Sequence, residues 1–146
     1  HLSAMEEGME YKKLQSHGMT FLSEGDSFAS LNKFERAFDL YEAQIISLRS
    51  QPEKDVKMLA VCYGRLGRLF MREERYDRAI VEFDRQMSLA REISDKVEEA
   101  EAYYGLGIGC LGRCDYPDAI RYLEVAQIRF ETLGHIPKSS STMKAM

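Results

Sequence analysis

The sequence predicts an all-α fold of six helices joined as three helix-turn-helix pairs, and three observations support it. A pattern of aromatic, Leu-Gly and Ala positions recurs at intervals of about forty residues. The second helix of each pair carries apolar residues at spacings of three and four, as at Tyr76, Ala79, Ile80 and Phe83, which form one helix face. The 146 residues include only 10 Gly and 3 Pro, too few for many short strands and turns.

The repeat is clearest in its middle and last copies. The middle copy contains Tyr63, Leu66, Gly67, Phe70 and Tyr76, and the last copy contains Tyr103, Leu106, Gly107, Cys110 and Tyr116. The first copy contains Phe21, Gly25, Phe28, Phe34, Ala37 and Tyr41, with Glu24 in the leucine position. A glycine inside a helix costs about 1 kcal/mol relative to alanine. We therefore expect a partner helix to cross close to the backbone at Gly67 and Gly107, with Ala79 and Ala119 as the small residues opposite.

The helices are predicted, in order, over residues 5–30, 34–50, 53–73, 76–93, 96–113 and 116–134. Start signals precede three of them: Asn32 before Glu35, Asp95 before Glu98, and Asp115 before Pro117. The chain opens at His1, so residues 1–4 are interpreted as a cloning remnant or an internal cut of a longer protein. Residues 135–146 include a serine run and show no apolar period, which predicts a flexible tail.

The repeated residues resemble the tetratricopeptide repeat, whose pattern is an aromatic, Leu-Gly, a second aromatic, then Ala with a large apolar residue four positions on. On that pattern the repeats run 18–51, 60–93 and 100–133. The resemblance implies a right-handed α-solenoid over residues 5–134 that binds proteins and is not an enzyme. The proline that usually ends the second helix is absent, which allows longer helices. Residues 89–100 look like the long repeats of the Pins-type spindle-orientation adaptors, and kinesin light chains and several bacterial regulators have similar long repeats.

The resemblance also implies a concave groove lined by the first helix of each pair. The matching positions are Leu22 and Asp26 in the first repeat, Arg65, Arg68, Met71 and Arg72 in the middle repeat, and Tyr104 and Ile108 in the last repeat. The three arginines are spaced three and four apart, so they form one stripe on a helix. Guanidinium groups suit carboxylates, which predicts a protein partner whose peptide segment is acidic and has apolar anchors.

Two alternatives to this peptide groove stay open. The arginines can be an ordinary solvated face. The array can also stack on further repeats or on itself, with Phe130 and Leu133 mediating a homo-oligomer. One partner class is not expected. Family members that hold the terminal carboxylate of heat-shock chaperone tails use Lys, Asn and Arg at positions occupied here by Leu22, Asp26, Arg65, Glu101 and Gly105.

The remaining motifs predict neither a catalytic site nor a cofactor or metal. Residues 107–112 spell GxGxxG, but inside a predicted helix with no strand before it. Cys110 and Cys114 lie four apart without a nearby His to complete a metal site, so structural cysteines are predicted. His17 is the one histidine away from the chain ends, and nothing in the sequence marks it as catalytic.

Composition limits the partners and the compartment. Lys and Arg number 20 against 24 Asp and Glu, and the net charge of -4 argues against general nucleic-acid binding. No apolar run approaches the ~20 residues of a membrane-spanning helix, so no membrane insertion is predicted. The 3 Cys form no CxxC pattern and suit a reducing compartment, which predicts a cytoplasmic protein, with cytoskeletal association as an option.

Overall fold

The computed structural model describes residues 21–134, and its regular structure in that range is entirely α-helical. The helices are α1 (Phe21–Ser30), α2 (Phe34–Arg49), α3 (Val56–Arg72), α4 (Tyr76–Glu92), α5 (Lys96–Gly112) and α6 (Tyr116–Thr132). The predicted all-α class is therefore confirmed. The predictions for residues 1–4, for the part of the first helix before residue 21, and for the tail at 135–146 lie outside the described residues. The chain divides into two compact units at Lys54.

The first unit is the helix pair α1 and α2. Gly25 gives Tyr41 room to lie against α1, because a Cβ at Gly25 would stand 2.7 Å from the Tyr41 ring. The Tyr41 hydroxyl donates a hydrogen bond of 2.6 Å to Oδ1 of Asp26. Burial of the aromatic ring and this bond together fix the pair. The apolar cluster beside them contains Phe21, Leu40 and Ala43, with Phe28 packed against it.

Four of the turns between helices share one backbone conformation. Each has a residue with positive φ two positions after the last helical residue, namely Asn32, Glu74, Ser94 and Cys114, at φ values of 58, 58, 55 and 63°. The next residue donates its N–H to the carbonyl five positions back, as in Asp95 to Ala90 at 2.8 Å. Asn32 was predicted as a helix cap, and that is wrong. Lys33 precedes α2 instead, without a side-chain cap, and Asn32 adopts the left-handed conformation that asparagine tolerates.

The second unit contains α3 to α6, and its helix length explains the forty-residue period. Each of these helices has 17 residues. Three turn residues separate each from the next, so a helix pair repeats every 40 residues. Helix α3 begins at Val56 and not at 53, because Asp55 caps it by accepting a hydrogen bond from the Met58 N–H at 3.0 Å. With no proline in their last turns, the second helices continue to Arg49, Glu92 and Thr132.

Glycines set the distances between these helices. A Cβ at Gly67 would stand 2.5 Å from the Phe83 ring, and one at Gly107 would stand 2.6 Å from the Leu123 side chain. The close approach predicted at Gly67 and Gly107 is confirmed. The prediction that Ala79 and Ala119 lie opposite them is corrected, because the side chains that fill these gaps are large.

Candidate functional site

The site is a cavity of about 310 Å³ between α3 and α5, with α4 beneath them. It lies entirely in the second unit. Because α3 and α5 are first helices of successive pairs, their side chains face the same side of the stack and form its two walls. The lining residues are Lys57, Val61, Gly64, Arg65, Arg68, Phe83, Gln86, Val97, Glu98, Glu101, Tyr104, Gly105 and Ile108.

The structure brings half of the predicted groove residues together. Arg65 and Arg68 line the cavity from α3, and Tyr104 and Ile108 line it from α5. Arg65, Tyr104 and Ile108 are partly buried there, and Arg68 is exposed. The cavity thus joins guanidinium groups to an aromatic ring and an aliphatic side chain.

The other four predicted residues do not line this cavity. Met71 and Arg72 follow on α3, and Arg72 lies about 6 Å farther along the helix axis than Arg68. Leu22 and Asp26 are partly buried residues of α1 in the first unit. Asp26 accepts the hydrogen bond from Tyr41, so its carboxylate helps to hold that helix pair together.

The arginine stripe is partly neutralised by α5. Nη2 of Arg68 lies 3.1 Å from Oε2 of Glu101, across the cavity, and both side chains are accessible to solvent. An exposed pair of this kind is worth about 0–1 kcal/mol, so an incoming carboxylate can exchange with Glu101 at low cost. An unpaired Glu101 would repel an incoming carboxylate, and its pairing with Arg68 moderates that effect.

A second ion pair lies at the end of the cavity where α5 begins. Nζ of Lys57 lies 2.6 Å from Oδ2 of Asp95, which raises the pKa of Lys57. Asp95 also caps α5, because its Oδ1 accepts a hydrogen bond from the Glu98 N–H at 3.0 Å. Burial acts to raise the pKa of Asp95, but the bonds from Glu98 and Lys57 outweigh it and hold that pKa below its usual value. The predicted start signal at Asp95 is confirmed.

The floor of the cavity carries two buried polar residues that the sequence analysis missed. Gln86 of α4 is only 4% exposed and Glu98 of α5 only 9%. Nε2 of Gln86 donates to Oε2 of Glu98 at 3.3 Å. Oε1 of Gln86 is buried and accepts no hydrogen bond from the part of the chain that the structure describes. Burial raises the pKa of the Glu98 carboxyl, although Lys57 and the Gln86 amide act against it.

One sequence signal could have found Gln86. Gln44, forty-two residues earlier, holds the matching position in the first repeat and is also 4% exposed. There Oε1 of Gln44 accepts a hydrogen bond of 3.3 Å from the Leu22 N–H. A glutamine that recurs among the apolar residues of the second helix therefore indicates a buried amide.

The other motifs of the sequence take structural places. The GxGxxG residues lie inside α5, where Gly109 and Gly112 pack against Ile80 and Tyr76 of α4. Cys110 is buried, and burial raises the pKa of its thiol, as expected for a core residue. Cys114 is exposed at a turn, so the prediction of a core role does not hold for it. Residues 21–134 contain no group of three His, Cys, Asp or Glu side chains that could hold a metal ion.

Helix length and polarity bear on the membrane prediction. None of the helices within residues 21–134 is long and apolar enough to cross a membrane.

Antiparallel helix pairs of constant length, with a cavity between the first helices of neighbouring pairs, define a helical-repeat protein. Residues 58–127 match the family model described as tetratricopeptide repeat. Residues 58–127 are therefore a region of tetratricopeptide repeats, as the resemblance implied. Repeats of this family generally mediate protein–protein interactions and are typically non-catalytic. A search of curated proteins found no match.

Solved structures with the same fold support this assignment. Aspartyl phosphate phosphatase F from Bacillus subtilis is 20% identical with a TM-score of 0.73, and the match covers 78% of this chain and 30% of that protein. The N-terminal domain of stress-induced protein-1 from C. elegans is 16% identical with a TM-score of 0.66, covering 86% and 90% of the two chains. BtubC from P. vanneervenii is 19% identical with a TM-score of 0.70, covering 79% and 46%. At these identities the likeness shows the fold alone.

Proposed function

We propose that this chain is an adaptor module that holds a peptide segment of a partner protein in the cavity between α3 and α5. One observation carries the proposal: the cavity places Arg65 and Arg68 beside the apolar surfaces of Tyr104 and Ile108. A side chain with a carboxylate and a neighbouring apolar group would satisfy both kinds of surface. Peptide recognition in proteins commonly uses such a combination of apolar anchors and paired charges.

The charges of the lining favour an acidic segment. Lys57, Arg65 and Arg68 contribute three positive charges, and Glu98 and Glu101 contribute two negative charges. Arginine can bind a carboxylate through two parallel N–H groups, which fixes its orientation as well as its position. Asp95, which pairs with Lys57 at the end of the cavity, offsets the third positive charge, so it is the two arginines that favour an acidic segment.

A charge reversal in the cavity tests the proposal against a matched control on the same helix. A displayed library of random 12-residue peptides is screened on the intact chain, and the affinities of selected peptides are measured by fluorescence polarisation. Arg65→Glu should weaken binding about tenfold or more, a loss of about 1.4 kcal/mol. Arg72→Glu makes the same charge change outside the cavity and should change affinity less than about twofold, since exposed charges there are screened by salt.

Two results would contradict this function. If Arg65→Glu binds the selected peptides as tightly as the unchanged chain, the cavity is not the binding site. If Arg72→Glu weakens binding as much as Arg65→Glu, the peptide is attracted by the combined charge of all three arginines. Binding would then not depend on the residues that line the cavity.

The compartment and the class of partner follow from the same residues. A protein partner fits better than nucleic acid, because the positive charges of the cavity are offset by the acidity of the whole chain. Cys62 and Cys110 are buried, and no disulfide joins the cysteines within residues 21–134, which suits a reducing compartment such as the cytoplasm.

Self-association is a second candidate, which the exposed face of α6 favours. Tyr116, Ile120 and Ile128 of α6 are each more than half exposed. Their spacings of four and eight place them along one side of the helix. Phe130, predicted as a contact for self-association, is buried at 3% exposure and cannot serve, because it packs inside the helix pair.

Light scattering at two protein concentrations tests this candidate. If α6 mediates a dimer, the mass should double between low and high concentration, and Ile128→Glu should keep the chain monomeric. Val81→Glu, an exposed apolar residue on α4, is the control. A monomer at both concentrations excludes this second candidate.

A further inference from the structure

The unsatisfied acceptor on the cavity floor indicates what part of a partner reaches it. Gln86 is buried and lines the cavity, and its Oε1 has no donor within residues 21–134. A buried carbonyl without a donor keeps its full desolvation penalty, whereas a ligand that supplies the N–H removes that penalty. The floor is thus prepared for a hydrogen-bond donor, in contrast to the arginines above it, which are themselves donors.

The carboxylate of Glu98 determines which end of the Gln86 amide forms a hydrogen bond. An ionised carboxylate only accepts hydrogen bonds, so the NH₂ of Gln86 must face Glu98, as observed at 3.3 Å. The carbonyl of Gln86 is then left without a partner. Rotating the amide by half a turn would place two acceptors together, so the side chain cannot relieve the shortage by itself.

Gly64 leaves the space that the Gln86 amide occupies. A Cβ at Gly64 would stand 2.7 Å from Nε2 and 3.0 Å from Oε1 of Gln86. The wall of α3 is therefore backbone at this point, and the amide lies directly against it. Val61 and Phe83 line the cavity nearby with apolar surface. A ligand group that enters here meets one carbonyl, one carboxylate and apolar walls.

Burial favours a neutral donor over a charged one at the floor. Glu101 is paired with Arg68 and Lys57 is paired with Asp95, so these charges are already balanced. A buried ammonium group would lose its hydration. A primary carboxamide has two N–H donors and no charge, so it can bond to both acceptors.

We propose that the partner segment inserts an Asn or Gln side chain between Val61 and Phe83, where its NH₂ donates one hydrogen bond to Oε1 of Gln86 and one to the Glu98 carboxylate. This inference rests on the proposed peptide function of the same cavity and adds a recognition element to it. The partner motif then contains a carboxamide residue and an acidic residue. The carboxamide binds on the floor of the cavity, and the acidic residue binds to Arg65 and Arg68.

A double-mutant cycle with library-selected peptides tests the pairing. The random 12-residue library is screened on the intact chain, and the sequences that bind should share an Asn or Gln at a constant distance from an acidic residue. Replacing that Asn by Leu in a selected peptide should weaken binding to the unchanged chain about tenfold. The same replacement should change binding to the Gln86→Leu variant only about threefold, because the bond to Oε1 is already absent and only the bond to Glu98 is left to lose.

Several outcomes would overturn the inference and keep it separate from the peptide function. If selected peptides bind and respond to Arg65→Glu but share no carboxamide, the peptide function stands and the inference fails. If an Asn→Lys peptide binds more tightly than the Asn peptide, the floor selects an ammonium group. If no peptide binds, both the function and the inference fail. Gln86→Met serves as a second variant, and thermal unfolding confirms that each variant is folded.

Discussion

At the scale of single residues, Phe83 shows why glycine occupies helix interiors in this chain. Its ring lies between α3 and α5, and a Cβ would stand 2.5 Å from the ring at Gly67 and 2.4 Å from it at Gly105. Real Cβ atoms do not approach so closely, so the ring fills a slot that only two glycines can provide. The cost of glycine in a helix is offset by burial of the aromatic side chain.

Two alanine substitutions one turn apart on α3 separate the packing cost from the helix propensity. Gly67→Ala should lower the free energy of unfolding by about 1–2 kcal/mol, because the Phe83 ring is held from both sides and overpacking outweighs the gain in propensity. Gly64→Ala meets only the end of the flexible Gln86 side chain. Its effect should stay within about 0.5 kcal/mol, as measured by urea unfolding.

The pair of substitutions also reports on the cavity. Gly64→Ala displaces the Gln86 amide and should weaken peptide binding, although the chain stays folded. Equal losses of stability in Gly64→Ala and Gly67→Ala would show that the Phe83 ring can move away from an added methyl group. That result would contradict the tight packing of Phe83 between the two glycines.

At the scale of helices, an ionic cluster around the buried Glu99 joins α4, α5 and α6. Glu99 of α5 is only 5% exposed and forms ion pairs with Arg91 of α4 and Arg129 of α6. Both guanidinium groups also lie over the ring of Tyr103, within 5.7 and 5.1 Å of its centroid. One carboxylate therefore connects two successive helix pairs, a contact that neither pair can make alone.

Removing this carboxylate should cost more than removing an exposed one. Glu99→Ala leaves two arginines without a counter-charge, but they are partly solvated, so we expect a loss of about 2 kcal/mol and not the full cost of a buried charge. The comparison is Asp77→Ala, which breaks the exposed pair with Arg113 at 3.1 Å. That change should cost less than about 0.5 kcal/mol.

Urea unfolding followed by circular dichroism measures both variants. High salt should diminish the effect of Asp77→Ala more than that of Glu99→Ala, because salt screens exposed pairs first. A Glu99→Ala variant as stable as Asp77→Ala would mean that the cluster does not hold the helices together.

At the scale of the whole molecule, two carboxylates near the start of α5 act on the pH dependence of stability with opposite signs. Burial raises the pKa of Glu98 above its ordinary value of 4.5, so the folded state holds its proton more tightly than the unfolded state. The pKa of Asp95 is below its ordinary value of 3.8, so the folded state holds that proton less tightly. Glu98 therefore lowers stability as pH rises, and Asp95 lowers it as pH falls.

The substitution Glu98→Gln should remove the first of these effects. Relative to the unchanged chain, the variant should gain stability as pH rises from about 4.5 through the raised pKa, and the difference should be constant above it. Asp95→Asn, which can still cap α5, should show the reverse: its deficit is complete above 3.8 and disappears as pH falls through the lowered pKa. Urea unfolding between about pH 2.5 and about pH 8 measures both.

Parallel pH profiles for the two variants would contradict the assignment, since it depends on the opposite environments of the two carboxyl groups. A Glu98→Gln profile identical to that of the unchanged chain would mean that Glu98 is solvated when the chain is folded.

Many of the helix boundaries and helix contacts could be predicted because the same residue pattern occurs three times in the sequence. Helices α4, α5 and α6 begin at the predicted residues, and the close approach at Gly67 follows from the propensity cost of glycine alone. Asn32 was misassigned because asparagine suits both a helix cap and a left-handed turn, and only the backbone φ distinguishes them. Arg65 and Arg68 were predicted as groove residues because the family pattern marks those positions, and both line the cavity.

The floor of the cavity could not be predicted in the same way. Apart from the recurrence of glutamine at residues 44 and 86, the pattern of a single helix places polar residues such as Gln86 and Glu98 in solvent. Their burial depends on how α4 and α5 are rotated against each other, which Gly105, Gly109 and Gly112 of α5 and the α4 side chains packed against them determine. Met71 and Arg72 share the face of Arg65, but the extent of the cavity along α3 depends on where α5 lies against it.

The sequence by itself determined that this chain is a series of helix pairs of constant length, because periodic apolar faces, glycines and turns act over short distances along the chain. The repeat pattern also predicted Arg65 and Arg68 as groove residues, and both line the cavity. Only the tertiary structure decided which residues share one cavity, that Arg68 is paired with Glu101, and that an unsatisfied carbonyl lies on the floor. The physical reason is that burial and charge pairing are properties of two helices in contact, which no single helix encodes.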